Sequence, residues 1–314
     1  MPEVIEIRKY ADFIKKHIKN KNILEINILN GRYKKHGPFE MYNELVKNLP
    51  LKVIDVKTKG KFLYFVIEKG FYLFSTLGLQ GGWTYKSIKH EKAINKIYSI
   101  IETKKFEFPN LISYIDSNKM DQYRKNALNH LNVEFVTKNG ILYFYDILSF
   151  GTLKIINNKI ELDKKLNSIG PDIMDSETTY EVFYNQIKKK KNEDKYVGNV
   201  IVNQKVISGI GNYLRSDILW LCKISPFRKV KDLKDEEILQ IYKNALLLVW
   251  GDYNYNKGVE LKHITQKNKL PDDYKRNFFV YMHNKNIYNE NVKKEELYEG
   301  SQKRFIHWVP KIQK

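Results

Sequence analysis

Residues 203–215 read NQKVISGIGNYLR, and this stretch decides the expected architecture of the second half of the chain. Its two glycines, Gly209 and Gly211, interrupt a helical pattern and allow the backbone to turn tightly. The pattern predicts a short helix around residues 200–204 and another over residues 213–222, joined by that turn. We therefore expect a helix-turn-helix unit within a helical domain.

The same turn has the features of an anion-binding site. Backbone N–H groups at the start of a helix favour negative charge. The N–H groups of Gly209 and Gly211 and the amide of Asn212 are therefore expected to face a phosphate. Lys205 and Arg215 lie beside the turn, and such cations supply many contacts to DNA phosphates. A glycine-rich turn that joins two helices without a ligand is the alternative.

The charge of the chain points to a polyanionic partner. Its 314 residues carry 55 lysines and arginines against 36 aspartates and glutamates, a formal net charge of +19. A field of this sign attracts nucleic acid, which is the partner that we expect. Only seven of the basic residues are arginine, so A+T-rich codon usage is a second source of the lysines. Codon usage does not remove the field that they create.

The length and the change of pattern along the chain predict two domains. Apolar residues at helical spacing predict an opening amphipathic helix; they are Val4, Ile7, Ala11, Ile14 and Ile18. Segments rich in β-branched and aromatic residues then predict strands over 52–57, 62–67, 71–76 and 141–150. We assign residues 1–165 to an N-terminal β-sandwich or barrel and the turn-rich residues 166–172 to a linker.

Residues 173–314 form the second expected domain. Helical stripes over 180–187 and 238–248 indicate a small helical bundle. Near the end of the chain, residues 278–281 and 304–308 look like two strands separated by a polar stretch. The expected fold class is therefore α+β.

The cysteine count and the hydropathy pattern indicate which cellular compartment to expect. The single cysteine, Cys222, excludes an internal disulfide and a zinc site built from four cysteines or from two cysteines and two histidines. The charged opening is unlike a secretory signal, and no run approaches the ~18 apolar residues of a membrane span. We expect a soluble intracellular protein, in the nucleus or the cytoplasm, that contacts no membrane.

The N-terminus offers a nucleophile. If Met1 is removed, Pro2 becomes a secondary amine at the end of the chain. An α-amino group has a pKa of ~8, against ~10.4 for lysine, so a large share is unprotonated at neutral pH. Attack on an aldehyde-level carbon gives an iminium ion, and Glu3 stands beside it to move protons. Many proteins begin Met-Pro without any such role, so this opening is not diagnostic by itself.

Two distant motifs together resemble one family. The stretch 203–215, with the following Ser-Asp-Ile-Leu-Trp, resembles the helix-two-turn-helix of the formamidopyrimidine-DNA glycosylase/endonuclease VIII family. Those enzymes also begin Pro-Glu after methionine removal, and residues 2–6, PEVIE, match their P-E-x-x-E opening. The resemblance implies a catalytic Pro2 and Glu3 and a phosphate contact at Asn212.

Two further positions match the family pattern in the expected N-terminal domain. Lys61, in Gly60-Lys61-Phe62-Leu63, resembles a strand lysine that contacts phosphate at the lesion and assists proton transfer; a strand-end charge in water is the alternative. Leu79, in the sequence TLGLQG over 76–81, takes the place of a wedge residue that fills the gap left by an everted base. Ordinary core packing of Leu79 is the alternative.

Residues 146–151, DILSFG, resemble the family's D-x-R-R-F-G and depart from it at one position. Phe150 is kept as a void-filling residue, whereas Leu148 replaces the arginine that pairs with the orphaned base. Loss of a bidentate donor removes ~1–3 kcal/mol of base discrimination. We expect weak preference for the base opposite the lesion, with a packed core Leu148 as the alternative.

The end of the chain resembles the family's finger hairpin without its zinc cysteines. Residues 279–281 and 303–306 match the two finger strands, and Arg304 matches the arginine that grips the phosphate beside the lesion. A solvent-exposed Arg304 without such a role is the alternative. His263, His283 and His307 cannot complete a tetrahedral zinc site by themselves. The resemblance is thus to the zincless endonuclease VIII-like branch, with a metal-free finger over about 275–314, and the composition would suit a large DNA virus.

The resemblance implies a bifunctional enzyme of base excision repair. It would remove oxidised bases, pyrimidines and hydantoins above all, and cut the strand by β,δ-elimination through a Schiff base on Pro2. No cofactor is required. The expected partner is double-stranded DNA with oxidised bases or abasic sites, single-stranded DNA is left open, and the protein is expected to be a monomer. A non-catalytic DNA-binding protein and an abasic-site lyase with little glycosylase activity are the alternatives.

Overall fold

The computed structural model describes residues 2–88, 106–109, 117–254, 278–299 and 302–314. These residues divide into two compact units. The first contains Pro2 and residues 6–166, and the second contains residues 3–5 and 167–314. The short segment 3–5 therefore groups with the second unit, although most of its own helix belongs to the first.

The first unit contains five helices and nine strands within the described ranges. In chain order they are α1 (Val4–Ile18), β1 (Asn22–Ile28), α2 (Gly31–His36), α3 (Tyr42–Lys47), β2 (Leu51–Lys59), β3 (Phe62–Ile67), β4 (Tyr72–Thr76), β5 (Gly81–Ser87), β6 (Phe106–Glu107), α4 (Ser117–Asn129), β7 (Leu131–Thr137), β8 (Gly140–Asp146), β9 (Thr152–Ile156) and α5 (Lys159–Asn167). The predicted opening helix is confirmed as α1. All five of its apolar marker residues are buried, because they form one stripe along the helix.

The strands form one antiparallel sheet in the order β6-β5-β8-β7-β1-β2-β3-β4-β9. Strands β1 and β2 share only two residue pairs, so the sheet divides there into two halves. The halves face each other across a core around Trp83, whose ring centroid lies 5.1 Å from that of Phe65 and 5.2 Å from that of Phe144. The indole N–H donates to the Ser75 hydroxyl at 3.2 Å. This arrangement is the predicted β-sandwich.

The predicted strand over 141–150 is wrong at its end. Strand β8 stops at Asp146 because the Asp146 carboxylate accepts the N–H groups of Leu148, at 3.2 Å, and Gly151, at 2.6 Å. Ser149 adopts a left-handed backbone conformation between them, with φ 58°. A side-chain acceptor thus replaces the next strand as the partner of these N–H groups, and residues 147–151 form a loop.

The second unit contains the helices α6 (Tyr180–Ile187), α7 (Val197–Val200), α8 (Asn212–Leu221) and α9 (Asp235–Asn254), and a hairpin of β10 (Lys293–Glu299) and β11 (Gln302–Trp308). Helix α8 is central, because every side chain from Tyr213 to Trp220 is buried. The helix predicted around residues 200–204 lies earlier, as the single turn α7. The helix predicted over 213–222 is confirmed as α8.

The hairpin corrects one prediction about the end of the chain. We call residues 278–308 the finger; its residues 300–301, and residues 275–277 before it, lie outside the described part. Residues 278–281, predicted as its first strand, are not a strand, because the N–H groups of Val280 and Tyr281 donate to the Asp217 carboxylate instead. The strand that pairs with β11 is β10, with Leu297 opposite Arg304 and Glu295 opposite Ile306.

Within the described ranges, no helix combines the length and the apolar character that a bilayer crossing requires.

Candidate active site

The N-terminal segment and the glycine turn, which are separated by 208 residues at Glu3 and Gly211, meet in the second unit. One oxygen of the Glu3 carboxylate accepts the N–H of Gly211 at 2.5 Å, and the other accepts the N–H of Tyr213 at 3.0 Å. The N–H of Val4 donates to the carbonyl of Gly209 at 3.2 Å. Glu3 is only 1% exposed. We call residues 209–213 with Glu3 the Glu3 turn.

The Glu3 turn requires glycine at position 209. Gly209 has φ +108°, and a Cβ built on it would lie 2.9 Å from the Cβ of Val4. The side chain of Gln204 braces the turn, because its oxygen accepts the N–H of Gly209 at 2.9 Å and its NH₂ donates to the carbonyl of Ile210 at 2.8 Å. The close approach of residue 4 to the turn is therefore possible only without a side chain at position 209.

The prediction that the glycine N–H groups bind DNA phosphate is wrong. The N–H of Gly209 donates to Gln204, and the N–H of Gly211 donates to Glu3. The turn does bind an anion, but that anion is the carboxylate of Glu3 at the N-terminus of α8. Two backbone donors and the helix dipole stabilise the negative charge there.

Asn212 and Arg304, both expected to contact phosphate, line one cleft in the second unit. The cleft has a volume of about 500 Å³ and is lined by Asn212, Tyr281, Met282, His283, Asn284, Val292, Lys294, Arg304, Phe305 and His307. We call it the finger cleft. Asn212 accepts a hydrogen bond from Arg215 at its side-chain oxygen, at 3.3 Å, which leaves the donor end of the amide to a ligand.

The two cations beside the turn differ in their surroundings. Lys205 is exposed, as a phosphate contact requires. Arg215 is 0% exposed and donates to backbone carbonyls, among them that of Phe305 at 2.8 Å. The expectation that Arg215 faces phosphate is therefore wrong, because its guanidinium is used inside the unit.

Several cleft residues were missed in the sequence. Burial, with a smaller contribution from Glu3, raises the pKa of the Tyr281 phenol, whereas Arg215 lowers it. The phenol is thus a neutral O–H donor in the finger cleft. The ammonium of Lys294 lies 4.6 Å from the centroid of the Phe305 ring. Lys294 does not stand out in the sequence, because five of the seven residues of its strand, KKEELYE, are charged and the strand lacks alternation.

In the first unit, Lys61 lies in the tight turn between β2 and β3. It is half-buried and follows Gly60, which has φ 55°. The phosphate contact expected of Lys61 stays a prediction.

Three large apolar side chains of the first unit are exposed on two loops. Leu79 is 44% exposed, Leu148 is 42% exposed and Phe150 is 59% exposed. Ordinary core packing is therefore not their role. The loops adjoin, because a Cβ on Gly78 would lie 2.8 Å from the N of Gly151. We call residues 78–80 and 147–151 the apolar loops.

Buried polar groups hold the second apolar loop in place. Besides the two N–H groups that Asp146 accepts, the Arg32 guanidinium donates to the carbonyl of Gly151 at 3.2 Å. Asp146 is 1% exposed. The sequence contained Asp146 within its motif, but nothing in the spacing indicated Arg32, which lies far away in the chain.

The described ranges hold no group of three or more histidine, cysteine, aspartate or glutamate side chains able to bind a metal ion. Cys222 is buried and accepts a hydrogen bond from the Asn244 amide at 3.3 Å. His283 and His307 line the finger cleft, and His263 lies outside the described residues. The metal-free finger stays a prediction.

Pro2 is half-buried. Met1, on whose removal its proposed chemistry depends, lies outside the described residues.

Two known protein domains match this chain, one in each half. Residues 1–153 match the formamidopyrimidine-DNA glycosylase N-terminal domain, and residues 169–251 match the formamidopyrimidine-DNA glycosylase H2TH domain. A protein of Mycoplasma pneumoniae named formamidopyrimidine-DNA glycosylase is 26% identical over 267 residues, which are 84% of this chain and 80% of the relative.

Solved structures share the fold. A Lactococcus lactis formamidopyrimidine-DNA glycosylase, non-covalently bound to DNA with an AP site, matches with a TM-score of 0.69 and 18% identity over 99% of both chains. The Lactococcus lactis protein in complex with DNA that contains an oxidized pyrimidine matches with a TM-score of 0.69 and 19% identity, again over 99% of both chains. With its two domains matched in order over most of its length, the chain belongs to the formamidopyrimidine-DNA glycosylase/endonuclease VIII family.

Proposed function

We propose that the chain is a DNA glycosylase for oxidised bases that also cuts the strand at abasic sites. The observation that carries the proposal is the Glu3 turn, in which the residue after the N-terminal proline is fixed on the N-terminus of α8. A carboxylate that is 1% exposed and held by two N–H donors is oriented for proton transfer. A surface glutamate near a chain terminus would have no such constraint.

The chemistry follows from the adjacent amine. After removal of Met1, the Pro2 nitrogen attacks C1′ of the damaged nucleotide, a C–N bond forms, and the base leaves with the electrons of the glycosidic bond. Glu3 takes the proton of the attacking nitrogen and passes it to the ring oxygen O4′. The C1′–O4′ bond then breaks and leaves an iminium ion.

Strand cleavage uses that iminium as an electron sink. Loss of a proton from C2′ expels the 3′ phosphate in β-elimination, and a second elimination expels the 5′ phosphate. Water then hydrolyses the imine and releases Pro2. These steps require only groups of the chain and water.

Phosphate contacts are assigned to Lys61 in the first unit and to Asn212, Arg304 and Lys205 in the second. Asn212 and Arg304 line the same cleft, which supports a joint grip on one part of the backbone. Gly209 and Gly211 take part through the shape of the turn and through Glu3, not as phosphate ligands.

The apolar loops are assigned to the gap that an everted nucleotide leaves. Leu79, Leu148 and Phe150 are exposed, and insertion of such side chains between bases holds a flipped nucleotide out of the stack. Leu148 cannot donate hydrogen bonds to the orphaned base. Weak dependence on that base is therefore expected.

For the lesion we favour oxidised pyrimidines and hydantoins. The support is the resemblance to the zincless branch. A panel of duplexes that each contain one lesion would rank the substrates. Preference for 8-oxoguanine would contradict this assignment.

The experiment that tests the function compares Glu3→Gln with the wild type. We expect base excision to fall by ~10²–10⁴-fold, with a smaller loss of cutting at a preformed abasic site. Glu25→Gln, at an exposed position of β1, is the matched control. Unchanged base excision by Glu3→Gln would contradict the proposed role of Glu3.

Two alternatives give other outcomes in the same assay. A non-catalytic DNA-binding protein would bind abasic DNA and cut none of it. An abasic-site lyase with little glycosylase activity would cut preformed abasic sites and leave every damaged base in place.

A further inference from the structure

The finger is tied to α8 by two buried side chains, Arg215 and Asp217. Their exposed fractions are 0% and 5%. Arginine and aspartate are rarely buried to this extent without a specific set of partners. We call the pair the finger anchor.

Arg215 joins the two groups that are proposed to grip phosphate. Its Nη2 donates to the side-chain oxygen of Asn212 at 3.3 Å and to the carbonyl of Phe305 at 2.8 Å. Its Nη1 donates to the carbonyl of Gly198 at 3.2 Å. Phe305 follows Arg304 directly, so one planar guanidinium spans Asn212, α7 and the strand that carries Arg304.

Asp217 holds the other end of the finger. One oxygen of its carboxylate accepts the N–H of Val280 at 3.0 Å and that of Tyr281 at 3.4 Å. Burial, with a smaller contribution from Asp252 of α9, raises the pKa of this carboxyl to about 7. Keeping a carboxylate in this place is therefore costly, and the N–H groups that it accepts lie at the entry to the finger.

The same helix also carries Glu3 at its N-terminus. Gly211 and Tyr213 hold Glu3, Arg215 holds Asn212 and β11, and Asp217 holds residues 280–281. The carboxylate that is proposed to transfer protons and the cleft that is proposed to bind phosphate thus share one helix, α8.

We propose that Arg215 and Asp217 are positioning residues that set the finger against Asn212, so that Asn212 and Arg304 reach the same stretch of DNA backbone. The assignment of the finger cleft to DNA backbone rests on the proposed function. The anchor itself depends only on the hydrogen bonds within the second unit.

The first measurement needs no DNA. Amide hydrogen exchange of Val280 and Tyr281 in the full chain is compared between wild type, Asp217→Ala and Asp217→Asn. Above pH 7, where this carboxyl is ionised, a hydrogen bond to it contributes ~1.5–3 kcal/mol, so Asp217→Ala should speed exchange of these amides by ~10–100-fold. Asp217→Asn keeps an acceptor oxygen of the same shape and should restore most of the protection. Asp172→Asn is the control, since Asp172 is also buried and accepts the N–H of Met174 at 2.9 Å.

The second measurement is affinity for a duplex with a tetrahydrofuran abasic analogue. Asp217→Ala should weaken binding by ~10-fold or more, with recovery in Asp217→Asn. Arg215→Lys cannot span its three acceptors, so it should weaken binding and make the salt dependence shallower by about one phosphate contact. Arg228→Lys is the control, because the Arg228 guanidinium donates to the Glu237 carboxylate at 2.6 Å and to the carbonyl of Asp232, both of which lie outside the finger.

The outcomes separate the two levels of the proposal. Faster exchange together with weaker, less salt-dependent binding in the anchor variants alone supports it. Unchanged exchange in Asp217→Ala overturns the anchor, and faster exchange with wild-type affinity overturns its link to DNA. If wild type itself does not bind the abasic duplex, the proposed function fails, while the exchange data still decide on the anchor. If Arg215→Lys does not fold, the Asp217 series decides.

Discussion

The Glu3 turn and the apolar loops carry equally clear motifs, yet their key side chains differ in burial: that of the turn is buried and those of the loops are exposed. In the turn, a carboxylate that is 1% exposed has backbone donors on both oxygens. In the loops, Phe150 is 59% exposed, and Asp146 accepts the N–H groups of Leu148 and Gly151 on either side of it. A group that moves protons needs one fixed orientation, whereas a wedge needs to be available to its target. Stability and function are therefore expected to coincide in the turn and to separate in the loops.

The largest effect should come from Gly209→Ala in the turn. The left-handed φ of +108° is unfavourable for alanine, and the new Cβ would lie 2.9 Å from the Cβ of Val4. We expect a loss of ~2–4 kcal/mol in the free energy of unfolding. Excision should fall in parallel, because the turn no longer holds the Glu3 carboxylate in place. Chemical denaturation and an excision assay check this. Gly37→Ala is the control, because Gly37 also has a positive φ, 92°, but no atom within 4 Å of its Cβ position; equal losses in both variants would show that backbone conformation alone is responsible.

The loops should give the reverse result. The double variant Leu79→Ala/Phe150→Ala removes exposed side chains, so the free energy of unfolding should stay within ~0.5 kcal/mol of wild type. Excision from duplex DNA should fall by ~10-fold or more, because the gap left by the everted base is no longer filled. Ile160→Ala, at a position that is 76% exposed, provides the control. A double variant that unfolds more easily but excises normally would reverse the comparison.

A smaller effect is expected from Leu148→Arg. The side chain is 42% exposed, so an arginine can be accommodated without burial of its charge. The variant should gain ~1–3 kcal/mol of discrimination between bases opposite the lesion, measured as a ratio of excision rates. Leu148→Lys separates charge from bidentate geometry, and a flat ratio in Leu148→Arg would mean that position 148 does not reach the orphaned base.

The smallest expected effect is the change of folding stability with pH that Asp217 of α8 causes. Its pKa is raised to about 7, so the folded state binds this proton more tightly than the unfolded chain does. Its contribution to stability is therefore greatest at low pH and is lost as pH rises from the usual range of aspartate through 7. The Tm of wild type minus that of Asp217→Asn should fall by a few degrees between pH 5 and pH 8, of the order of 2–4 °C per kcal/mol. A constant difference would contradict the raised pKa.

Much of the fold could be predicted from the sequence, because α1, β3 and α8 have clear periodicity. Strand β10 could not, since Lys293–Glu299 is almost entirely charged and forms a strand through its partner β11. One contact between the two strands is the hydrogen bond that the Trp308 indole N–H donates to the Glu295 carboxylate at 3.0 Å. Residues 278–281 read as a strand because they are apolar, but their backbone partner is a side chain of α8.

For the site, the residue types were predictable and their partners were not. The glycine turn was predicted to bind a DNA phosphate, but the N–H of Gly211 donates to the carboxylate of Glu3, 208 residues away in the sequence. Arg215 looked like a DNA contact because charge patterns do not show burial, and it is 0% exposed. Local sequence gives geometry within a turn, whereas the choice of partner depends on tertiary structure.

The most direct test of the central claim is borohydride trapping on abasic DNA, followed by mapping of the adduct by mass spectrometry. The protein should first be shown to lack Met1. We predict a covalent adduct on the nitrogen of Pro2, and a much lower yield of adduct in Pro2→Gly, which should still bind the DNA. An adduct on Lys61 or another lysine, or no adduct on DNA that the protein binds, would contradict the account.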